Sequence, residues 1–185
     1  MKAYFQYLLL ALSGASFSSH SENVAEDLWR GLVVAPENRC SDYNKKKQYP
    51  YRASLETDII GEMDGKIYGP YSGSYFSSAK NTDIEHIVAA AEGHDSGLCD
   101  ASTQTRKDFA SDLLNLTLAS AKVNRCSKQG KCDKDAASWL PEVNQCWYAN
   151  RVVMIKRKYS LTVDDAEKQA LEWLCCVIRT ENQTA

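Results

Sequence analysis

The stretch from Asp83 to Asn124 constrains this chain more than any other. It opens Asp83-Ile84-Glu85-His86-Ile87-Val88, continues to Asn115-Leu116-Thr117-Leu118-Ala119, and closes on Val123-Asn124. An acid beside a histidine puts a hard-metal oxygen ligand and a proton acceptor at one point of the backbone. The two asparagines add carbonyl oxygens that a hard cation accepts. Neighbours in a regular strand point to opposite faces, so Glu85 and His86 line one site only if the strand ends or twists there.

The N-terminus constrains the compartment. Lys2 precedes an apolar run, Tyr4 to Leu12, followed by Ser13, Gly14, Ala15 and Ser16. That order predicts a secretory leader over residues 1–19. The run is shorter than the roughly 20 residues a membrane span needs, so no membrane association is expected. The remainder, residues 20–185, suits one domain. All seven cysteines (Cys40, Cys99, Cys126, Cys132, Cys146, Cys175 and Cys176) follow the leader. A secreted or periplasmic chain can pair them, and the odd number leaves at least one outside the intrachain disulfides.

A net charge of −2 argues against a protein that coats nucleic acid by bulk electrostatics. Local basic clusters remain: Lys45, Lys46 and Lys47, and then Lys122, Arg125, Lys128, Lys131 and Lys134. The second cluster lies where a phosphate backbone would run, although a charge run is more often a solvated face.

Val24, Leu28 and Leu32 recur at four-residue steps and predict a helix over 22–34. Residues 39–50 read as loop, and 54–75 as helix, turn at Asp64-Gly65, then strand, with a hairpin across Asp64-Gly65 as the competing reading. Residues 83–91 read as a buried strand entering a short turn or helix, broken by Gly93-His94-Asp95-Ser96-Gly97. Helix is expected over 105–114, strand over 116–119, a helical turn over 135–140, and helix over 143–159 with Val143, Cys146, Trp147 and Val153 on one face. Thr162 and Asp165 match a capping box opening a last helix with Ala166, Ala170, Leu174 and Val177 inward.

Asp83 to Val88, Asn115 to Ala119 and Val123-Asn124-Arg125 together resemble the HNH endonucleases. More narrowly, Phe109-Ala-Ser-Asp112-Leu-Leu-Asn115-Leu116, Lys134-Asp135-Ala-Ala-Ser-Trp139-Leu-Pro141 and Cys146-Trp147-Tyr148-Ala149 look like the secreted bacterial HNH nucleases related to the C-terminal domain of modification-dependent restriction enzymes. The resemblance covers about 67–159. It implies an α+β fold with a ββα-metal (HNH/His-Me finger) core and surrounding helices.

By the same resemblance His86 is the general base and Asn115 holds the catalytic loop. Glu85 and Asn124 are metal ligands, with Asp83 as the alternative acid because the family often has Asp where this chain has Glu85. The implied cofactor is Mg²⁺ or another hard ion such as Mn²⁺. The implied reaction is hydrolysis of DNA, with RNA left open, at little sequence specificity, by a monomer.

Candidate substrate contacts are His94, Arg106, Arg125 and Lys134. Each carries a plainer reading: His94 as a loop residue, Arg106 paired with Asp108 or Asp112, Lys134 in solvent. Two other functional classes stay open: an extracellular binding protein on an inactivated nuclease scaffold, and a toxin or effector nuclease with its own inhibitor or immunity protein. Asn115-Leu-Thr and Asn182-Gln-Thr have the form of glycosylation acceptors, and a loop-ordering Asn115 cannot carry a glycan. Cys126 and Cys132 are close enough for a local disulfide, preferred over zinc, which would need Cys146 and a fourth ligand. The Cys175-Cys176 pair offers a partner to Cys40, Cys99 or Cys146.

Overall fold

The computed structural model describes residues 28–181, with side chains to residue 174. The expected leader, Asn182 and the side chains of Val177, Cys175 and Cys176 lie outside the described residues.

The described chain begins with a hairpin, not a helix. β1 (Leu28–Trp29) pairs antiparallel with β2 (Leu32–Val33). The turn residues Arg30 and Gly31 have φ of 51° and 78°, a two-residue hairpin geometry that no helix tolerates. The four-residue spacing of Leu28 and Leu32 misled because a tight hairpin repeats at the same interval. Inside the expected loop lies a single helical turn, α1 (Lys45–Gln48), capped by the Asn44 side chain accepting from the Lys47 N–H.

α2 (Leu55–Glu62) buries Leu55 and Ile59 and stops before Asp64-Gly65, both at positive φ. The order helix, turn, strand holds. β3 (Tyr68–Gly69) pairs forward with β4 (Ser74–Tyr75), so Asp64-Gly65 is not a hairpin turn.

β5 (Asp83–His86) leads to α3 (Ala90–Asp95), which runs through Gly93 and His94 where the sequence predicts a break. Gly93 serves close packing. A side-chain carbon there would lie 2.8 Å from the Phe109 ring. α4 (Thr103–Ser111) starts two residues earlier than expected because Ser102 caps it, accepting from the Thr105 N–H. It ends at Asp112, which caps a short turn over Leu113–Asn115.

β6 (Leu116–Ala119) follows, then α5 (Ala121–Asn124), one turn capped by Ser120. Residues 135–140, expected as a helical turn, form non-helical turns. α6 (Gln145–Lys158) buries Tyr148, Ala149, Val152, Val153, Ile155 and Lys156, a face rotated away from the expected one, and Val143 is exposed. α7 (Asp165–Glu181) is capped by Asp164, which accepts from the Glu167 N–H at 2.8 Å, rather than by Thr162. Leu171 and Leu174 point inward as part of the core, and Ala166 is exposed.

The main apolar cluster joins Tyr71, Phe109, Tyr148, Val152, Ile155 and Leu171. A smaller one packs Leu55 and Ile59 of α2 on Leu116 and Leu118 of β6. Each such side chain contributes about 1.5–3 kcal/mol of burial energy. The result is a mixed α+β chain whose β5–β6 ribbon lies between the two clusters. A Cys40–Cys99 disulfide ties the segment before α1 to the turn after α3, and Cys126–Cys132 closes a seven-residue loop after α5, as its spacing predicts. Among the described residues, no helix is long and apolar enough to cross a membrane.

Candidate active site

The site is assembled on the β5–β6 ribbon. Asp83 pairs with Ala119, Ile84 with Leu118, Glu85 with Thr117 and His86 with Leu116. The Ile87 N–H then donates to the Asn115 carbonyl at 2.8 Å. Pairing therefore stays in register through both Glu85 and His86, so the end or twist expected between them is absent, which counts against the two side chains lining one site. The strand stops after His86, which leaves Asp83 and Glu85 on one face and His86 on the other.

His86 is 2% exposed. Its Nε2 lies 2.9 Å from the Ala110 carbonyl. A carbonyl only accepts, so Nε2 carries the proton and Nδ1 keeps the basic lone pair. Burial pushes the imidazolium down to about 3, partly opposed by the Ala110 carbonyl and reinforced by the charges of Lys45 and Lys131. The ring packs parallel to Phe109 at 6.4 Å, and Tyr51 meets it edge-on at 5.1 Å. Tyr51 also lines a cleft of about 500 Å³ with Glu56, Thr82, Asp83, Ile84 and Asn124. The imidazole thus lies one ring behind an open surface.

Asn115 is fully buried and fixes the backbone that follows His86. Its Oδ1 accepts from the Val88 N–H at 2.8 Å, and its Nδ2 donates to the Val88 and Phe109 carbonyls at 3.3 and 3.4 Å. This is the geometry of a loop staple. A glycan has no access to that amide in the folded chain.

The acidic residues each face a cation supplied by the chain. Asp83 takes a two-point contact from Arg125, Nε to Oδ2 at 2.9 Å and Nη2 to Oδ1 at 3.0 Å, and Asn124 Nδ2 donates to it at 3.1 Å. Arg125 holds the Asp83 carboxyl below its ordinary range. Glu85, at 3% exposure, lies 3.0 Å from Lys131 Nζ. Burial raises its carboxyl and Lys131 offsets part of that rise. Lys131 also donates to the His86 carbonyl at 2.9 Å.

The remaining candidates are placed apart from this group. His94 is fully buried, with Nδ1 2.8 Å from the Tyr49 hydroxyl and Nε2 2.9 Å from the Ser41 carbonyl. It pins the 41–49 segment to α3. Arg106 pairs with neither Asp108 nor Asp112; its Nη1 donates to the Leu98, Cys99 and Ala101 carbonyls. Lys134 Nζ donates to the Gly130 carbonyl at 3.0 Å.

Three residues at the site carry weak signals in the sequence. Lys131 reads as one of a surface cluster, yet it is fully buried; its only distinguishing mark is a cysteine on either side of its loop. Tyr51 follows the stretch read as loop, and Lys45 lies in a run read as a solvated face.

Comparison with known proteins adds kinship. The family model described as GmrSD restriction endonucleases, C-terminal domain, matches residues 35–172. An uncharacterized secreted protein of Arthroderma benhamiae is 28% identical over 172 residues, covering 82% of this chain and 83% of that one. No solved structure matches.

Proposed function

We propose, from the premise that this chain belongs to the GmrSD restriction endonuclease C-terminal domain family, that it is a secreted nuclease hydrolysing phosphodiester bonds in DNA or RNA. The observation that carries the reading is the tautomer of His86. Its Nε2–H is committed to the Ala110 carbonyl, so Nδ1 is a lone pair held ready at the end of a strand. Such a nitrogen takes the proton of water as that water attacks phosphorus, and the P–O bond to the leaving oxygen breaks.

An imidazole that burial keeps neutral is a weak base in the free protein. A phosphodiester anion beside it stabilises the imidazolium and raises that basicity when substrate binds. Lys45, exposed on α1, is a cation we assign to the phosphate. Tyr51 would have to turn aside for water to reach the ring. Asn115 holds the backbone so that the ring cannot drift. The β5–β6 ribbon followed by α5 is the segment we assign to a ββα-metal core. Kinship to a secreted relative and two disulfides support export.

The family implies a divalent metal, Mg²⁺ or Mn²⁺. The residues do not fit one as arranged. Glu85 faces an ammonium, Asp83 faces a guanidinium, and Asn124 turns a donor toward Asp83. No step of the reaction is therefore routed through a metal.

The test is nicking of supercoiled plasmid by the mature, oxidised protein. His86→Gln keeps a side-chain N–H for the Ala110 carbonyl but has no basic nitrogen. It should cut about 10²- to 10⁴-fold more slowly while keeping the circular dichroism of the parent. Equal cutting by both proteins contradicts the assignment.

A further inference from the structure

We propose that the cleft at Leu116 and Thr117 holds one unstacked nucleobase of the substrate. The inference deepens the nuclease reading and rests on it for the class of ligand.

The first observation is the wall. The cleft encloses about 180 Å³, and Tyr68, Trp147, Arg151, Thr117, Leu116 and Glu62 are among the residues that line it. An apolar cavity of about 150 Å³ takes a benzene ring, so this one has room for a single heterocycle. Its aromatic walls are held from behind. Tyr68 packs on Tyr75 at 4.9 Å and its hydroxyl accepts from Asn144 Nδ2 at 3.0 Å, while Trp147 meets Tyr71 edge-on at 6.3 Å. The Arg151 guanidinium carbon lies 5.9 Å from the Trp147 ring centroid, and Nη1 donates to the Leu114 carbonyl at 3.3 Å. Unpaired bases are taken up in this way, on aromatic faces and guanidinium planes.

The second observation is an unmet polar atom. Thr117 has no exposed surface, and its hydroxyl oxygen is buried without a hydrogen-bond partner. Leaving a buried hydroxyl unmet is costly, and an apolar side chain of the same shape avoids that cost. A hydroxyl both donates and accepts, so it can meet a ring nitrogen, a carbonyl or an amino group on a base edge. Glu62, exposed on the cleft, accepts when ionised, and Arg151 only donates. The lining therefore offers both halves of a base-edge pattern.

The third observation is place. Leu116 pairs with His86 and Thr117 with Glu85 across the ribbon. Neighbouring strands lie about 4.7–4.9 Å apart, so a ring in the cleft belongs to a nucleotide at or next to the one whose phosphate meets His86. Duplex bases are stacked and paired, so the cleft selects single-stranded or locally opened nucleic acid.

The experiment titrates the oxidised mature protein with deoxycytidine, with phenol as the control ring, and follows the Trp147 indole N–H by proton–nitrogen correlation. Trp147→Phe assigns the signal. Deoxycytidine should shift it saturably. Arg151→Met should weaken binding by about tenfold or more and Thr117→Val by about two- to tenfold, the usual sizes for a charged and a neutral hydrogen bond. Thr117→Val should keep or raise the denaturation midpoint, because it removes an unmet hydroxyl, so its weaker binding is not a loss of structure. If Arg151→Met does not fold, Thr117→Val alone decides. The absence of a saturable shift, an affinity unchanged in Thr117→Val, or phenol binding as tightly as deoxycytidine overturns the inference. Deoxycytidine contains no phosphodiester, so failure here and failure of the nicking assay are separate results.

Discussion

Lys131 and Lys156 both have side chains with no exposed surface, and they are compensated in opposite styles. Lys156, from the last turn of α6, is saturated. It pairs with Glu92 at 2.7 Å and with Glu167, and donates to the Ser96 hydroxyl and the Thr162 carbonyl. Lys131 has one carboxylate, Glu85, and one carbonyl, that of His86. The first cage joins α3, α6 and α7 and is a structural pin. The second ties the loop after α5 to the end of β5 through two contacts only. A fully satisfied buried polar network rigidifies the elements it joins, whereas a pair with fewer partners ties its segment less firmly.

The largest expected effect breaks the closed cage. Lys156→Met strands Glu92 and Glu167, two buried carboxylates, and should cost about 3–5 kcal/mol in urea denaturation. Lys131→Met strands one carboxyl that burial already pushes toward its neutral form. It can be met by taking up a proton, so the cost should be roughly 1–3 kcal/mol. Equal losses in the two variants would erase the distinction between the cages.

A smaller effect appears with pH. The unfolded chain protonates His86 near 6.5, while the folded chain resists until about 3. Below 6.5 the unfolded state therefore binds more protons, and stability falls as pH drops through that window. The contribution of this one group is about 1.4 kcal/mol per pH unit. His86→Phe should flatten the slope, read from denaturation midpoints between pH 7 and 5.

Much of the ribbon was legible in the chain, because its residues sit at fixed local spacings. Glu85, His86, Asn115 and Asn124 fall on one ribbon and the turn after it, as the Asp83 to Asn124 stretch implies. The strands 83–86 and 116–119 and the loop disulfide were readable for the same reason. Lys131 and Lys156 were not, since nothing local separates a buried lysine from a solvated one; their partners lie 46 and 64 residues away or are supplied by another helix. The reversal of Leu28 to Leu32 into a hairpin turned on the φ of Arg30, and the helix through Gly93 on a ring 16 residues later. His94 reads as a loop residue because its two partners, Tyr49 and Ser41, are brought in by a segment without periodicity.

His86 is held as a neutral imidazole with its proton on Nε2. Long-range proton–nitrogen correlation of the ring nitrogens, followed from pH 7.5 to pH 4.5 on the mature protein, tests it without substrate (about the range over which an ordinary histidine titrates). The expected spectrum shows a protonated Nε2 and an unprotonated Nδ1 throughout, with no imidazolium signal. A ring that protonates near 6.5, or one carrying its proton on Nδ1, would contradict it.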